Sequence, residues 1–486
     1  MKHIKLLFFI YSFCLSASLF AADWAEFGYY DISWYNKNQS EFLISTPKEL
    51  AGMAYLVNNN YTSFEGKTIK LNADIDLQGR IWIPIGISNT IFKGTFDGNG
   101  HSVSNVSMNK FDYYECGFWT ELEDALLQNF KMQGTIYSSS KYIGLLSAKA
   151  NNTIFKNIVI NSNIKFEKSD IHSSTGFVYE YNLGGCVGNS TKSKFHGIKN
   201  STNIEFVFGA SSGKNCYGRI DLKLGGLVGL GHSDTYNTCQ TSNNCEIGIN
   251  GYVSSSSYSS PGAGGIIYGG IVGEDQGGET SITTCLSKTN KFEGKHYNGT
   301  YDAVSFIYGG IIGKMDFFSI IPVINNCVSI TSEYTIIGHP YTWVASWYHT
   351  SSKFGGITSA IPKNIKGCFS NKDVIKTVKM VQYDDIGECG STSYSSEEMQ
   401  TEGFVNELNF FTKMEYDKDL WRLDEYGNLA FLLDNEATDI SNVKCSTHSK
   451  NIIGVYDLNG RRLNTLKKGL NVILYEDGQT KKYIKN

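Results

Sequence analysis

Three carboxylates near the start of this sequence have the spacing that could most readily support catalysis: Asp74, Asp76 and Asp97. A polysaccharide lyase holds Ca²⁺ with clustered carboxylates beside a basic side chain, and a glycosidase needs two carboxylates that face each other. Residues 72–76 and 97–100, however, have the Asn, Asp and Gly composition of turns, in which Asp accepts hydrogen bonds from nearby backbone. We therefore predict that these carboxylates form turns, and we identify no catalytic residue.

A cluster of aromatic side chains is the second candidate, and the chemistry that it suggests is ligand binding. Two Tyr and two Trp fall within eight residues: Tyr341, Trp343, Trp347 and Tyr348. Aromatic rings offer flat apolar faces on which a sugar ring can stack. The same side chains could instead pack against the wall of the fold, and the sequence leaves both interpretations open.

Motifs of metal chemistry are missing. The sequence contains no HExxH and no CxxC pair, so neither a zinc peptidase nor a site with closely spaced Cys ligands is indicated. We predict no metal and no cofactor.

Composition and charge exclude several classes of protein. The chain of 486 residues has 43 Lys and Arg against 47 Asp and Glu, a net charge of −4, so it lacks the basic excess that neutralises nucleic-acid phosphates. Its 50 Gly are accompanied by 6 Pro, which excludes collagen, and 13% aromatic residues are too many for a disordered chain. We predict no nucleic-acid partner.

The first residues have the features of a targeting segment. Two Lys precede an apolar run over residues 6–20, which ends at Ala21 and Ala22. This order predicts a cleaved signal peptide over residues 1–21. The run is shorter than the roughly 20 residues of a membrane-spanning helix, and no later stretch reaches that length. We therefore expect an exported protein without a transmembrane span.

A Gly-Gly-apolar-apolar-Gly pattern recurs through the middle of the chain. Taking the second Gly of each copy, or Gly144 in a degenerate first copy, the separations are 41, 41, 44, 40 and 46 residues. The copies are centred on Gly144, Gly185, Gly226, Gly270, Gly310 and Gly356. Self-similarity at such a period is the signature of a solenoid or a propeller.

The segments between the glycines predict strands. They are short runs of β-branched and aromatic residues separated by Gly, Asn and Ser, and they lack a helical period. We predict a parallel β-helix in which each repeat forms two coils of about 20 residues, stacked strand on strand. A β-propeller has the same period, but its blades need four longer strands. Four Cys recur at one place in the repeat, which favours a buried ladder of thiols over a disulfide framework: Cys239, Cys285, Cys327 and Cys368.

Two capping boxes predict helices at the ends of this solenoid. Thr46, Pro47 and Glu49 begin an apolar helix that could close the first end of the core. Ser395 and Glu398 begin a second helix, followed by two short apolar runs, and we expect this segment to close the other end. A group of Tyr and Trp over residues 29–35 is expected to pack at the first end.

The repeats resemble those of bacterial surface proteins that bear GLUG repeats. The resemblance rests on residues 44–50 (ISTPKEL), 71–77 (LNADIDL) and 92–101 (FKGTFDGNGH), followed by the Gly-Gly-Leu-Val-Gly units, and it covers residues 41–433. It implies a right-handed, pectin-lyase-like parallel β-helix at the cell surface, and it implies no reaction. Related repeats accompany the peptidase domains of some immunoglobulin A proteases, but the HExxH of those domains is missing here.

The end of the chain resembles the C-terminal sorting domains of Bacteroidetes type IX secretion cargo. The matching blocks are 456–461 (YDLNGR), 468–470 (KGL) and a basic end. The resemblance implies that the type IX secretion machinery is a partner and that the protein is secreted or held on the outer cell surface. A plain accessory β-domain is the alternative. The predicted domains are therefore a signal peptide (1–21), a capped parallel β-helix (22–434) and a small C-terminal β-sandwich (435–486).

The sequence favours a binding or adhesion protein of the cell surface whose ligand is a glycan or a protein. The aromatic cluster around Trp343 is the predicted ligand site. A polysaccharide lyase or glycoside hydrolase remains an alternative, because solenoid sites assemble from residues far apart in sequence. A structural surface stalk is the third interpretation.

Overall fold

The computed structural model describes residues 24, 28–87, 90–111, 114–168, 178–209, 219–250, 265–297, 304–315, 322–338, 351–359, 364–379, 382–385, 391–431, 452–456, 469–475 and 480–485. The predicted signal peptide lies outside these residues.

The described chain winds into a parallel β-helix, which confirms the predicted fold class. Its coils build three parallel sheets, which we call A, B and C. Sheet A contains Glu41–Ile44, Thr68–Leu71, Ile75–Asp76, Thr95–Asp97, Ser102–Phe111, Leu126–Ser138, Ile154–Lys168, Lys194–Phe208, Thr235–Asn237, Gln240–Ile249, Ser281–Thr283, Leu286–His296, Val323–Asn325, Val328–Ile337, Ile365–Lys366, Phe369–Asn371, Ile375–Lys379 and Thr392–Tyr394. Sheet B contains Trp119–Glu123, Ser147–Asn151, Val187–Thr191, Val228–His232, Val272–Asp275 and Ile312–Met315. Sheet C contains Glu115–Cys116, Tyr142–Gly144, Val178–Gly184, Arg219–Gly225, Gly265–Gly269, Ser305–Gly309, Ser351–Gly355 and Gln382–Asp385.

Each repeat forms one coil, so the prediction of two coils per repeat is wrong. Lys194–Phe208 pairs in parallel with Ile154–Lys168 on one side and with Gln240–Ile249 on the other, one repeat away in each direction. The two long strands of this group have 15 residues each, far longer than the runs of two to five apolar residues suggested. Polar residues interrupt the apolar runs because they occupy the outward positions of long strands.

A column of residues with left-handed backbone puts a kink into sheet A. The residue immediately before each ladder Cys has a positive φ: Thr238 (51°), Thr284 (52°), Asn326 (53°) and Gly367 (58°). The strands that follow pair Gln240 with Leu286, Leu286 with Val328 and Val328 with Phe369, which stacks the four Cys in register. All four are buried free thiols, as the predicted ladder requires. The Cys327 thiol donates to the Asn325 carbonyl at 3.1 Å, which satisfies a buried donor locally.

Aromatic stacks form another part of the core. Phe155, Phe195 and Tyr236 stack with ring centroids 4.7 and 5.0 Å apart. Residues at equivalent places in successive coils lie above one another, so a ring in one coil finds a ring in the next.

Helix α1 (Pro47–Asn58) closes the first end of the core, as predicted. Thr46 and Glu49 form the complete capping box, and the apolar side of the helix, including Leu50 and Met53, is buried. The aromatic group over residues 29–35 packs against the same end of the core, also as predicted.

The C-terminal helices do not simply close the other end. The α2 helix (Ser396–Met399) and the α3 helix (Glu402–Tyr416) are followed by an antiparallel hairpin of Trp421–Leu423 and Leu429–Phe431. Together they form a second apolar cluster over the outward-facing column Leu286, Val328 and Phe369 of sheet A. This unit, which we call the lateral clamp, therefore packs on the side of the solenoid, and the prediction of an end cap is corrected in this respect.

The last described strands form one antiparallel sheet: Ile452–Tyr456, Gly469–Tyr475 and Thr480–Lys485. The predicted β-sandwich is represented in the described residues by this sheet alone.

Candidate functional site

The Gly-Gly corner between sheets C and B points into the solenoid and touches the inner face of sheet A. A Cβ atom on Gly270 would overlap the Ser287 hydroxyl and the Gly310 carbonyl, and it would lie 2.7 Å from Ser287 Cβ. The Thr241 hydroxyl, on the inner face of sheet A, donates to the Gly270 carbonyl at 2.7 Å. The paired glycines have no positive φ, so the corner needs Gly because of close approach and not because of backbone conformation.

On the outside, this inward corner brings the outer faces of sheets B and C together. A Cβ atom on Gly229 of sheet B would lie 2.7 Å from the backbone nitrogen of Leu183 in sheet C. A Cβ atom on Gly313 would lie 2.7 Å from the Ile267 side chain. Because the glycines leave the two walls so close, outward side chains of B and C face each other across a cleft that follows the solenoid axis. We call it the B–C cleft.

The first coils place a group of charged and aromatic side chains at this cleft. In sheet C, Glu115 and Tyr142 are neighbours in register, and in sheet B, Glu121 and Lys149 are neighbours in register. We call the whole group the N-terminal cleft cluster, and its members are Tyr114, Glu115, Glu121, Lys141, Tyr142, Lys149 and Glu180.

Contacts across the cleft hold this cluster together. Lys149 reaches from sheet B to form an ion pair with Glu115 of sheet C, and its Nζ lies 5.0 Å from the Tyr142 ring centroid. Lys141 pairs with Glu180 at 2.9 Å and lies 5.5 Å from the Tyr114 ring. The two tyrosine rings meet edge to face at 5.4 Å, and Tyr114 is 60% exposed. The cluster is thus prearranged by its own contacts and remains open to solvent.

Burial and neighbouring charges shift the pKa values of Glu121 and of both lysines in the cluster. Desolvation raises the pKa of Glu121, the charges of Glu115 and Glu123 raise it further, and Lys149 opposes them. Desolvation lowers the pKa of Lys149, but the ion pair with Glu115 and the nearby charge of Glu121 outweigh it, so the pKa is raised. Desolvation also lowers the pKa of Lys141, but its hydrogen bonds with Glu180 and Tyr114 outweigh that effect and raise the pKa. Neither lysine is therefore a base near neutral pH, which argues against lyase chemistry at this place.

Two of the three carboxylates singled out in the sequence, Asp76 and Asp97, have the predicted turn roles. Asp76 accepts from the Gln78 backbone at 2.7 Å, and Asp97 accepts from the Asn99 backbone at 2.9 Å. Asp74 accepts from the Ser102 backbone at 2.7 Å, which joins it to the next coil. The Ser102 backbone lowers the pKa of Asp74, and the Asn105 side chain and the Gln78 backbone lower that of Asp76, so both are ionised acceptors already in use.

The predicted aromatic ligand site lies outside the described residues. This applies to all four members: Tyr341, Trp343, Trp347 and Tyr348. Their role in binding stays a prediction.

Sequence reasoning missed the cluster because it missed an earlier copy of the repeat. Residues 116–119 (CGFW) occupy the corner in register with residues 143–147, since Cys116 pairs with Ile143 and Trp119 with Ser147. This copy lacks the glycine pair and lies 27 residues before Gly144 instead of about 40. The sequence signal that could have revealed the cluster is the residue type just before each inward corner. This residue is Glu115 in the earlier copy and Tyr142 in the next one.

A buried carboxylate lies elsewhere, at the turn from sheet B to sheet A. Asp234 is fully buried and accepts from the Ser193 backbone at 2.7 Å and from the hydroxyls of Ser190 and Tyr236 at 3.0 Å each. Burial raises the pKa of Asp234 to about 7 in spite of these bonds.

This carboxyl should make stability depend on pH. Because the folded pKa of Asp234 lies above the ordinary value of about 3.9, the carboxyl favours folding most below pH ~4, and this contribution is lost as the pH rises through 7. The loss is of order 3–4 kcal/mol. Urea unfolding at pH 4.5 and pH 8 measures it for the wild type and for Asp234→Asn, which has no proton to lose. An equal pH dependence in both proteins would contradict this account.

The described residues contain no group of three His, Cys, Asp or Glu placed to hold a metal ion. Among the same residues, none of the helices combines the length and apolar character needed to cross a bilayer.

Comparisons with known proteins add a distant similarity of structure. No protein-family model matches the sequence, and no curated protein matches it. One matching solved structure is that of a "putative immunoglobulin A1 protease" from Bacteroides ovatus, with 14% sequence identity, a TM-score of 0.40, and coverage of 80% of this chain and 92% of that chain. A similarity of this degree carries no argument about what this chain binds.

Proposed function

We propose that this chain is a binding protein of the cell exterior and that it holds a carbohydrate chain in the first part of the B–C cleft. The observation that carries the proposal is the contact between the exposed ring of Tyr114 and the half-buried ring of Tyr142, framed by paired carboxylates and ammonium groups on both walls of the cleft. Aromatic faces with a few fixed polar groups around them are the usual composition of a ligand site.

The repetition of the coils favours an extended ligand. Its walls are columns of side chains that repeat about every 4.8 Å along the solenoid, so a linear chain can contact several coils at once. Sugar hydroxyls both donate and accept hydrogen bonds, and the cluster offers carboxylate acceptors beside ammonium donors such as Lys141. A polysaccharide fits this mixture of groups.

Placement outside the cell is supported by the sequence. The predicted signal peptide over residues 1–21 directs export, and the GLUG-type repeats and the sorting-like tail resemble those of proteins on the bacterial surface. We propose the type IX secretion machinery as the partner that delivers the protein. Finding the mature protein only inside the cell would contradict this part of the proposal.

Hydrolysis of the same glycan is the second candidate function, and one observation favours it. Glu115 and Glu121 stand on facing walls of the cleft, and the pKa of Glu121 is raised by desolvation and neighbouring carboxylates, as a general acid requires. The ion pair of Glu115 with Lys149 is a reason to prefer binding, because that carboxylate is already engaged.

A panel of host and plant polysaccharides distinguishes the two functions. The mature protein, residues 22–486, is incubated with each polysaccharide, and retention and newly formed reducing ends are measured in the same tubes. We expect retention without new ends. New ends would replace the binding proposal with hydrolysis, and no retention of any polysaccharide would overturn both. Trp343→Ala with Trp347→Ala tests in parallel whether the predicted aromatic site contributes.

A further inference from the structure

One carboxylate of the N-terminal cleft cluster has no cation of its own. Each lysine around it is paired with a different glutamate, and Glu121 forms no ion pair with any described residue. The pairs are Lys149 with Glu115, Lys141 with Glu180, and Lys93 with Glu123. The cluster therefore carries one more carboxylate than its ammonium groups neutralise.

An amide oxygen further along the same cleft also lacks a partner. Asn182 follows Tyr142 in the register of sheet C and is only 3% exposed. Its neighbours Tyr181 and Leu183 belong to the core, so the alternation of the strand turns Asn182 outward, into the cleft. Its Oδ1 atom has no hydrogen-bond partner among the described residues. Buried acceptors of this kind are normally satisfied, and a ligand is one way to satisfy them.

The aromatic rings of the cluster already attract ammonium groups. The Lys149 Nζ lies 5.0 Å from the Tyr142 centroid and 5.9 Å from the Tyr114 centroid. A ring face stabilises a nearby cation through its quadrupole.

We propose that the glycan bound in the B–C cleft carries free amino groups, as an oligosaccharide of unacetylated amino sugars does. This inference rests on the proposed function. A protonated amine supplies the positive charge that Glu121 lacks, and an ammonium group has three N–H donors and no acceptor, which suits a site whose unpaired groups are acceptors. An acetylated amino sugar brings only a neutral amide to the same place.

Two oligosaccharides of equal length test the inference: glucosamine oligomers and N-acetylglucosamine oligomers. By calorimetry, we expect the aminated oligomer to bind at least tenfold more tightly, since hydrogen bonds to charged groups are the stronger class. Glu121→Gln, which keeps the shape and removes the charge, should abolish that preference. Glu205→Gln changes the net charge equally on the outer face of sheet A, far along the chain from the cleft, and should keep the preference.

The outcomes separate this inference from the proposed function. Equal affinity for both oligomers, or failure of the aminated oligomer to bind, overturns the amino-sugar assignment. The polysaccharide panel then still decides whether the protein binds glycans at all. Failure of the whole panel overturns both. A preference that survives in correctly folded Glu121→Gln also overturns the assignment. If this variant does not fold, the two oligomers with the wild-type protein still decide.

Discussion

Gly270→Ala is expected to destabilise the protein by about 3 kcal/mol or more, because the added methyl group has no space at the inward corner. It would overlap the Ser287 hydroxyl and the Gly310 carbonyl, and it would lie 2.7 Å from Ser287 Cβ. Relief requires a movement of backbone, since Gly310 is itself the corner of the next coil. Urea unfolding followed by circular dichroism measures the loss.

Gly265→Ala is the matched control in the same coil. The nearest atom to a Cβ atom there is the Ser305 carbonyl oxygen at 3.6 Å, which is ordinary contact distance. We expect it to change stability little compared with Gly270→Ala. If the two variants were equally stable, the corner would not be packed against sheet A, and the origin of the B–C cleft would have to be explained differently.

Trp421→Ala is expected to cost about 3–5 kcal/mol and to detach the lateral clamp from the solenoid. Trp421 is 1% exposed, and its ring lies 4.3 Å from that of Phe431 in the paired strand. Asn409 of the α3 helix holds the backbone of the same residue, accepting from its N–H at 2.8 Å and donating to its carbonyl at 2.9 Å. Loss of the ring leaves a cavity at the centre of the clamp.

Trp421→Phe is the control, because the indole nitrogen has no hydrogen-bond partner among the described residues, so its removal leaves no donor newly unpaired. The readouts are urea unfolding and binding of an apolar dye, which reports exposure of the column Leu286, Val328 and Phe369. We expect dye binding for Trp421→Ala and not for Trp421→Phe. Unchanged stability and no dye binding in Trp421→Ala would show that the clamp does not depend on this packing.

The repeat predicted the solenoid because its glycines mark positions where backbone meets backbone. The repeat did not predict whether the corner points into the core or out to solvent, since a glycine pair allows close approach of backbone from either direction. That direction depends on the small polar residues of sheet A, such as Thr241 and Ser287, which receive the corner inside the core. These residues lie far from the corners in sequence, so the cleft could not be seen from the repeat alone.

The capping boxes at Thr46 and Ser395 were predictable because the hydrogen bonds of a helix start are local. The position of the second helix depends on contacts with residues that are distant in sequence. Its signal is a change along one column, from Lys199 and Gln240 to Leu286 and then to apolar residues in the next two coils. Three stacked outward apolar residues indicate a covered surface, and only alignment of the coils in the correct register reveals them.

The turn roles of Asp76 and Asp97 followed from local composition, and the structure confirms them. Asp74 instead accepts from Ser102 in the next coil. The N-terminal cleft cluster could not be predicted from local composition, because its members come from three coils and two sheets. Glu121 becomes a neighbour of Lys149, and Glu115 a neighbour of Tyr142, only through the stacking of strands.

The most direct test of carbohydrate binding in the cleft is the affinity of Tyr114→Ala/Tyr142→Ala for a polysaccharide that the wild-type protein retains. We expect a loss of at least tenfold, since aromatic side chains that a bound ligand covers carry much of the energy of a binding site. Tyr426→Ala removes an 81% exposed tyrosine in the hairpin of the lateral clamp and should bind like the wild type. Unchanged affinity in the correctly folded double variant would contradict the assignment of the ligand to the B–C cleft.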